Sequence, residues 1–160
     1  MRNLTAKDIM NRNVFSVPEE MTTHELAGFF TEKMISGAPV LNDSGKLVGV
    51  VSLSDIVRND SQRARIVKDK VQSQTALHGW ENKANEDEIE QLHIETDDGM
   101  TVREIMTPLV FQVGEHAEVS EMADLMIDGR IHRLFVTRDE QLVGIVTALD
   151  MMRVFRNMLD

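Results

Sequence analysis

GVVSLSDI, Gly49 to Ile56, and GIVTALDM, Gly144 to Met151, follow one pattern. Each runs glycine, apolar pair, hydroxyl, two free positions, aspartate, apolar. A hydroxyl that follows an apolar run and precedes an acid by three residues sits where a strand ends and a capped helix begins. The likeness extends well beyond these eight residues. DIMNRNVFSV begins at Asp8 and EIMTPLVFQV at Glu104, and Met10 and Met106 lie ninety-six positions apart. The same offset pairs Val14 with Val110, Phe15 with Phe111, Val17 with Val113, Glu25 with Glu121, Ala27 with Ala123 and Val40 with Val136. After a one-residue deletion in the second copy, Asp55 matches Asp150 and Arg58 matches Arg153. An internal repeat is therefore the organising feature of the chain.

Each copy reads as one supersecondary unit. A helical turn at Asp8–Met10, or Glu104–Met106, is followed by a short extended run, Val14–Val17 or Val110–Val113. A helix then starts near Thr22, where Thr22 and Glu25 have capping-box spacing. Leu26, Phe29, Phe30 and Met34 mark its apolar face, and Gly37 is placed to end it. In the second copy Met122, Leu125 and Met126 do the packing and Gly129 is the expected stop. Two strands follow, around Pro39–Leu41 and Leu47–Ser52, joined by the turn residues Asn42-Asp43-Ser44-Gly45. Their counterparts are Phe135–Thr137 and Leu142–Thr147. A last helix follows each hydroxyl. The expectation is an α/β (α+β) protein of two β-α-β-β-α repeats, residues 1–60 and 100–160, separated by a dissimilar segment, 61–99. A unit of some sixty residues buries too little surface to be robust alone, so the two should share a core. Within 61–99, Ser61–Gln74 continues the preceding helix and His78-Gly79-Trp80 breaks it; this linker, with Trp80 and the acidic run Glu86–Gly99, is the candidate contact with an effector.

Composition narrows the function classes. The chain has 160 residues, 28% of them charged, and a formal net charge of −10. Phosphate-backbone binding rests on clustered Lys and Arg, so a nucleic-acid partner is not expected. No apolar run approaches the roughly 18–20 residues of a spanning helix, and MRNLTAKDIMNRN lacks the apolar core of a secretory signal. With no cysteine, disulfides, thiolate metal sites and cysteine nucleophiles are excluded. A cytoplasmic protein without membrane contact is the expectation.

Two copies of an I-M opening, an A-P-V or L-F-V strand and a G-h-h-[ST]-x-x-D-h ending (h apolar) resemble the cystathionine-β-synthase, or CBS, domain. A tandem of them resembles a CBS pair, or Bateman module. The resemblance covers about three quarters of the chain and leaves the middle segment out. It implies a pseudo-two-fold pair with clefts that hold adenine nucleotides or adenosyl compounds, a regulatory role toward a partner protein, and a flat homodimer of two pairs. It requires no cofactor; AMP, ADP, ATP or S-adenosylmethionine would be a regulatory ligand. With no effector domain in the sequence, the effector would be a separate protein or the oligomer.

The residues themselves allow two readings. Ser52 with Asp55, and Thr147 with Asp150, stand at strand-to-helix junctions. There the unpaired amides and macrodipole of a helix N-terminus attract phosphate. The hydroxyl adds a donor, and the aspartate can accept from the vicinal hydroxyls of a ribose, the part the resemblance assigns to it. The same spacing is also that of a plain helix cap that needs no ligand. Arg130-Ile131-His132-Arg133-Leu134 resembles the I-H-R-L stretch of the nucleotide-sensing subunit of AMP-activated protein kinase, which would make His132 and Arg133 phosphate ligands. Alternatively, His132 is a helix-end histidine near the dipole. The first copy has Ser36 and Gly37 there, so unequal sites are expected. The positions between hydroxyl and aspartate, often basic in the family, are Leu53-Ser54 and Ala148-Leu149, which favours a less charged ligand over a tightly held triphosphate. By the resemblance, backbone around Ala38, Pro39 and Val40 lines the adenine pocket; their own chemistry says only a strand start with Pro at an edge. Phe135 offers a ring near a base or is simply core.

An enzyme needs a nucleophile, a base with a partner, or a metal. The five histidines show no zinc-helix spacing, and there is no Gly-rich phosphate loop. No catalytic constellation is visible, so the chain is not expected to be an enzyme. The alternatives are a structural dimerisation module with vacated clefts, and metal sensing through His78 and His93, which ligand spacing does not support.

Overall fold

The computed structural model describes residues 4–59, 99–108 and 110–159. The expected features within 61–98, including Trp80, His78 and His93, lie outside them. Each repeat contributes the same elements in the same order. In the first, α1 (Ala6–Ile9), β1 (Val17–Pro18), α2 (Thr23–Lys33), β2 (Gly37–Leu41), β3 (Leu47–Ser52) and α3 (Leu53–Asn59) follow one another. In the second the order is α4 (Val102–Ile105), β4 (Gln112–Gly114), α5 (Val119–Gly129), β5 (Arg133–Arg138), β6 (Gln141–Thr147) and α6 (Ala148–Leu159). Each repeat forms a three-stranded sheet, β1-β2-β3 or β4-β5-β6. The first strand runs parallel to the second, with Val17 opposite Val40 in one sheet and Val113 opposite Val136 in the other. β5 and β6 pair antiparallel, from Arg133–Thr147 to Arg138–Gln141. Two residues at positive φ, Asp139 at 50° and Glu140 at 64°, make their tight turn, as a two-residue hairpin requires.

The compact units do not coincide with the repeats. Among the described residues, 15–44, 48–59 and 99–108 form one unit, and 4–14, 45–47 and 110–159 the other. The opening segment of each copy is thus built into the other copy's core. Val102 and Ile105 of α4 join Val17, Leu26, Phe30, Val40, Val51 and Ile56. Ala6 and Met10 join Val113, Met122, Met126, Leu134, Val136 and Val146. Backbone bonds fix the exchange. Thr107 and Val50 bond each other both ways, at 2.8 and 2.9 Å, and Asn11 and Ile145 do the same, at 2.9 and 3.0 Å.

This explains the glycine that opens each quoted stretch. A Cβ on Gly49 would lie 2.7 Å from Met106 Sδ and 2.9 Å from the Thr107 carbonyl oxygen. One on Gly144 would lie 2.5 Å from Met10 Sδ and 3.0 Å from the Asn11 carbonyl oxygen. The I-M segment of one copy crosses directly over the glycine of the other, where only a hydrogen leaves room.

Several local expectations need correction. Gly37 does not end α2; it is the first, buried residue of β2. The left-handed cap is Met34, with φ 54°, and the Ile35 amide reaches back to the Phe30 carbonyl. In the second repeat Gly129 is still helical and Arg130 takes the cap, with φ 50°. Both ends carry the Schellman bond on a non-glycine residue. Met34 and Leu125, expected in the core, are 36% and 38% exposed. Pro39, expected at an edge, lies on the central strand. The second repeat supplies the reason: the Phe135 amide donates to the Phe111 carbonyl at 3.1 Å, and proline at the matching position has no such hydrogen to give. β1 accordingly pairs only with Val40 and Leu41, whereas β4 begins one register earlier, Gln112 opposite Phe135.

Candidate functional site

Among the described residues, one device recurs at five helix starts. The backbone amide and the hydroxyl of one residue both donate to a single carboxylate oxygen three residues on. It joins Thr5 to Asp8, Thr22 to Glu25, Ser52 to Asp55, Thr101 to Glu104 and Thr147 to Asp150. The amide bond draws the Glu25 carboxyl below its ordinary value. Donation by an amide and a hydroxyl favours the ionised form. The cap geometry itself is therefore no signature of a ligand. Two of the five stand apart by burial. Asp55 is 8% exposed and Thr147 6%, whereas the caps at Thr5, Thr22 and Thr101 lie at the surface.

The same two aspartates also face a basic residue. Asp150 Oδ1 accepts from Arg153 Nη1 at 2.7 Å. Asp55 Oδ1 lies 3.7 Å from Arg58 Nη1, an ion pair too long for a hydrogen bond. The signal in the sequence is the matched arginines three residues after matched aspartates, a spacing that the repeat alone also accounts for.

The hairpin gathers the other candidates. Arg133 stands directly across from Thr147 in the β5–β6 ladder, and the His132 carbonyl accepts from the Ala148 amide at 2.8 Å. His132, Arg133, Thr147 and Asp150 thus meet where β6 passes into α6. The His132 side chain is exposed, Arg133 is half-buried and Thr147 is buried, so it is the backbone of His132 and Arg133 that these ties fix beside the start of α6. The first repeat uses the same backbone tie, from the Leu53 amide to the Ser36 carbonyl at 3.0 Å. There Ser36 and Gly37 stand for His132 and Arg133, and Arg58 is the basic residue paired with the aspartate. The side chains of Ala38, Pro39 and Val40 are buried in the core, which leaves backbone groups as what they could offer a ligand. The Phe135 ring is only 4% exposed and is part of the packing.

Among the described residues, no three carboxylates or imidazoles converge as a metal site, and no helix is long and apolar enough to cross a membrane.

A profile of the CBS domain matches residues 6–61 and 102–157. An uncharacterised protein of Methanocaldococcus jannaschii is 34% identical over 91% of this chain and 87% of its own length. Against two further curated relatives the chain spans only 40% and 62% of their lengths. Among solved structures, the cytosolic domain of the Mg2+ channel MgtE in complex with ATP is 27% identical, with TM-score 0.64, over 96% of this chain and 50% of that one. The CBS domain pair of protein MJ0100, in complex with 5′-methylthioadenosine and S-adenosylmethionine, is 25% identical, with TM-score 0.58, over 95% and 99%.

Proposed function

Because the chain belongs to the CBS domain family and carries two copies of the domain, we propose that it is a regulatory module for an adenosine-containing ligand. AMP, ADP, ATP or an S-adenosylmethionine-like compound would bind, and the bound state would pass to a partner protein or through the oligomer. CBS pairs are regulatory binding modules rather than catalysts. Relatives hold ATP in one case and two adenosyl compounds in another, which supports an adenosyl ligand in general and none of them in particular.

The observation that carries the reading is the corner of His132, Arg133, Thr147 and Asp150 at the start of α6. An anionic tail would meet the imidazole, the guanidinium and the positive end of the dipole of a twelve-residue helix, all of which favour negative charge. The ribose hydroxyls would meet Asp150, and backbone near Phe135 the base. Ser52 and Asp55 form the matching corner of the first repeat, with backbone near Ala38, Pro39 and Val40 for the base. Lacking the imidazole and second guanidinium, it suits a less charged ligand. A cytoplasmic homodimer of two such pairs is the assembly this reading expects.

A structural interaction module without nucleotide is the competing reading. The capping device favours it, since three of the five instances serve exposed helix starts. Thermal unfolding with millimolar AMP, ADP, ATP and S-adenosylmethionine decides between them. A ligand bound only by the folded state stabilises it by about 2.7 kcal/mol at a hundredfold excess over Kd. For a chain of this size that raises Tm by about 5–10 °C. The sensor reading expects such a shift with at least one ligand, lost in Asp150→Ala and in His132→Ala with Arg133→Ala. No shift with any ligand favours the structural module.

A further inference from the structure

The two matched aspartates differ in how much they can still accept. An ionised carboxylate offers about four lone-pair positions on two oxygens. In the first repeat, Ser52 fills two positions on Asp55 Oδ2, through its amide at 2.8 Å and its hydroxyl at 2.9 Å. Arg58, at 3.7 Å, makes no hydrogen bond to Oδ1. Among the described residues nothing donates to Oδ1, which leaves both of its positions for a vicinal diol. In the second repeat, Thr147 fills two positions on Asp150 Oδ2, at 2.9 and 2.7 Å, and Arg153 Nη1 takes a third on Oδ1 at 2.7 Å. One position remains, and a diol has two hydroxyls to place.

For both hydroxyls to donate to this carboxylate, either the cap or the arginine must give way. The Thr147 hydroxyl also accepts from the Asp150 amide at 3.3 Å, so turning it out loses both side-chain bonds of the cap and leaves a buried hydroxyl without partners. The Arg153 side chain is 62% exposed, and its guanidinium can exchange Asp150 for water at little cost. We propose that Arg153 gates the second-repeat corner: it holds Asp150 closed to a ribose and must swing away for a diol to bind. This rests on the adenosine-ligand reading and adds a specificity-determining residue to it. Once displaced, the guanidinium stays within the corner as a mobile cation. A ligand with an anionic tail can re-engage it, whereas an uncharged nucleoside cannot. The gate therefore discriminates against nucleosides and in favour of their phosphates, without a basic residue between hydroxyl and aspartate.

The test is a titration of the full chain with adenosine, followed by the amide NMR signals of Thr147 and Ala148 for one corner and of Ser52 and Leu53 for the other. Adenosine has the diol but no charge, so loss of a cation does not confuse the result. Arg153→Met keeps the length and helix preference of the side chain and removes its donors. It should tighten adenosine at the Thr147 corner by about two- to fivefold, the range expected when one ion pair with an exposed arginine no longer competes. The gain should vanish with 2′,3′-dideoxyadenosine. Unchanged or weaker adenosine binding at Thr147 in Arg153→Met overturns the gate, as does an equal gain with the dideoxy compound. Response at Ser52 alone, in both proteins, overturns the gate while leaving the ligand reading intact. If neither corner of either protein responds to adenosine, AMP, ATP or S-adenosylmethionine, the ligand reading fails and the gate falls with it.

Discussion

Gly49→Ala asks whether the exchanged opening segments hold the fold together. The new Cβ would sit 2.7 Å from Met106 Sδ and 2.9 Å from the Thr107 carbonyl oxygen. The thioether can turn aside. The carbonyl cannot, because it accepts from the Val50 amide at 2.9 Å while Val50 accepts from Thr107 in return at 2.8 Å. The segment carrying Val102 and Ile105 must therefore shift by a few tenths of an ångström and lose part of its bridge. Overpacking of this kind costs about 1–3 kcal/mol. Against it stands a gain of about 0.4–1 kcal/mol from a less flexible unfolded chain. The net loss should be about 1–2 kcal/mol, or a fall in Tm of about 2–8 °C for a protein of this length, read by calorimetry or circular dichroism. Gly28→Ala is the control: it lies inside α2 with nothing within 4 Å of a built Cβ, so it should gain about 0.5–1 kcal/mol. If Gly49→Ala is as stable as the parent while Gly28→Ala behaves as expected, the crossing segment does not press on this glycine and the explanation of the motif fails.

Other outcomes follow from the same geometry. Thr22→Ala removes the cap of α2 and should cost about 0.5–2 kcal/mol in urea unfolding, with Thr22→Ser close to the parent. Glu115 is held below its ordinary value of 4.5, chiefly by a two-pronged hydrogen bond from Arg138, at 2.6 and 2.5 Å. A depressed carboxylate contributes stability that is present above its unfolded value and lost as pH falls through the folded one. Tm should therefore drop below about pH 4.5, and Glu115→Gln should drop less steeply; equal slopes would count against the pairing. Replacing both His132 and Arg133 with alanine should weaken AMP more than adenosine, and raising the salt concentration should narrow the difference.

Much of this was legible in the sequence because the repeat checks itself. Met10 with Met106 and Asp55 with Asp150 fixed the element order, and Thr22 with Glu25 marked a helix start that the structure retains. What was not legible depends on contacts far apart in the chain. Nothing near Gly49 announces that residue 107 will lie over it, so the opening glycine could not be told from a strand glycine of no consequence. The helix stops were misread because glycine is the commonest left-handed cap, while Met34 and Arg130 occupy it here. A missing donor suits Pro39 to an edge, yet it stands on the central strand, where the shortened first strand accommodates it. Arg58 and Arg153 were visible as a matched pair, but a bond of 2.7 Å in one repeat against 3.7 Å in the other is a difference of side-chain placement that spacing does not encode.

The most direct measurement is a crystal structure of the full chain grown with AMP or S-adenosylmethionine. Ribose hydroxyls are expected on the carboxylate of Asp55 or Asp150, and at Asp150 an Arg153 turned away from Oδ1. A ligand seated elsewhere, or both carboxylates still holding only their caps and arginines under saturating ligand, would contradict this expectation.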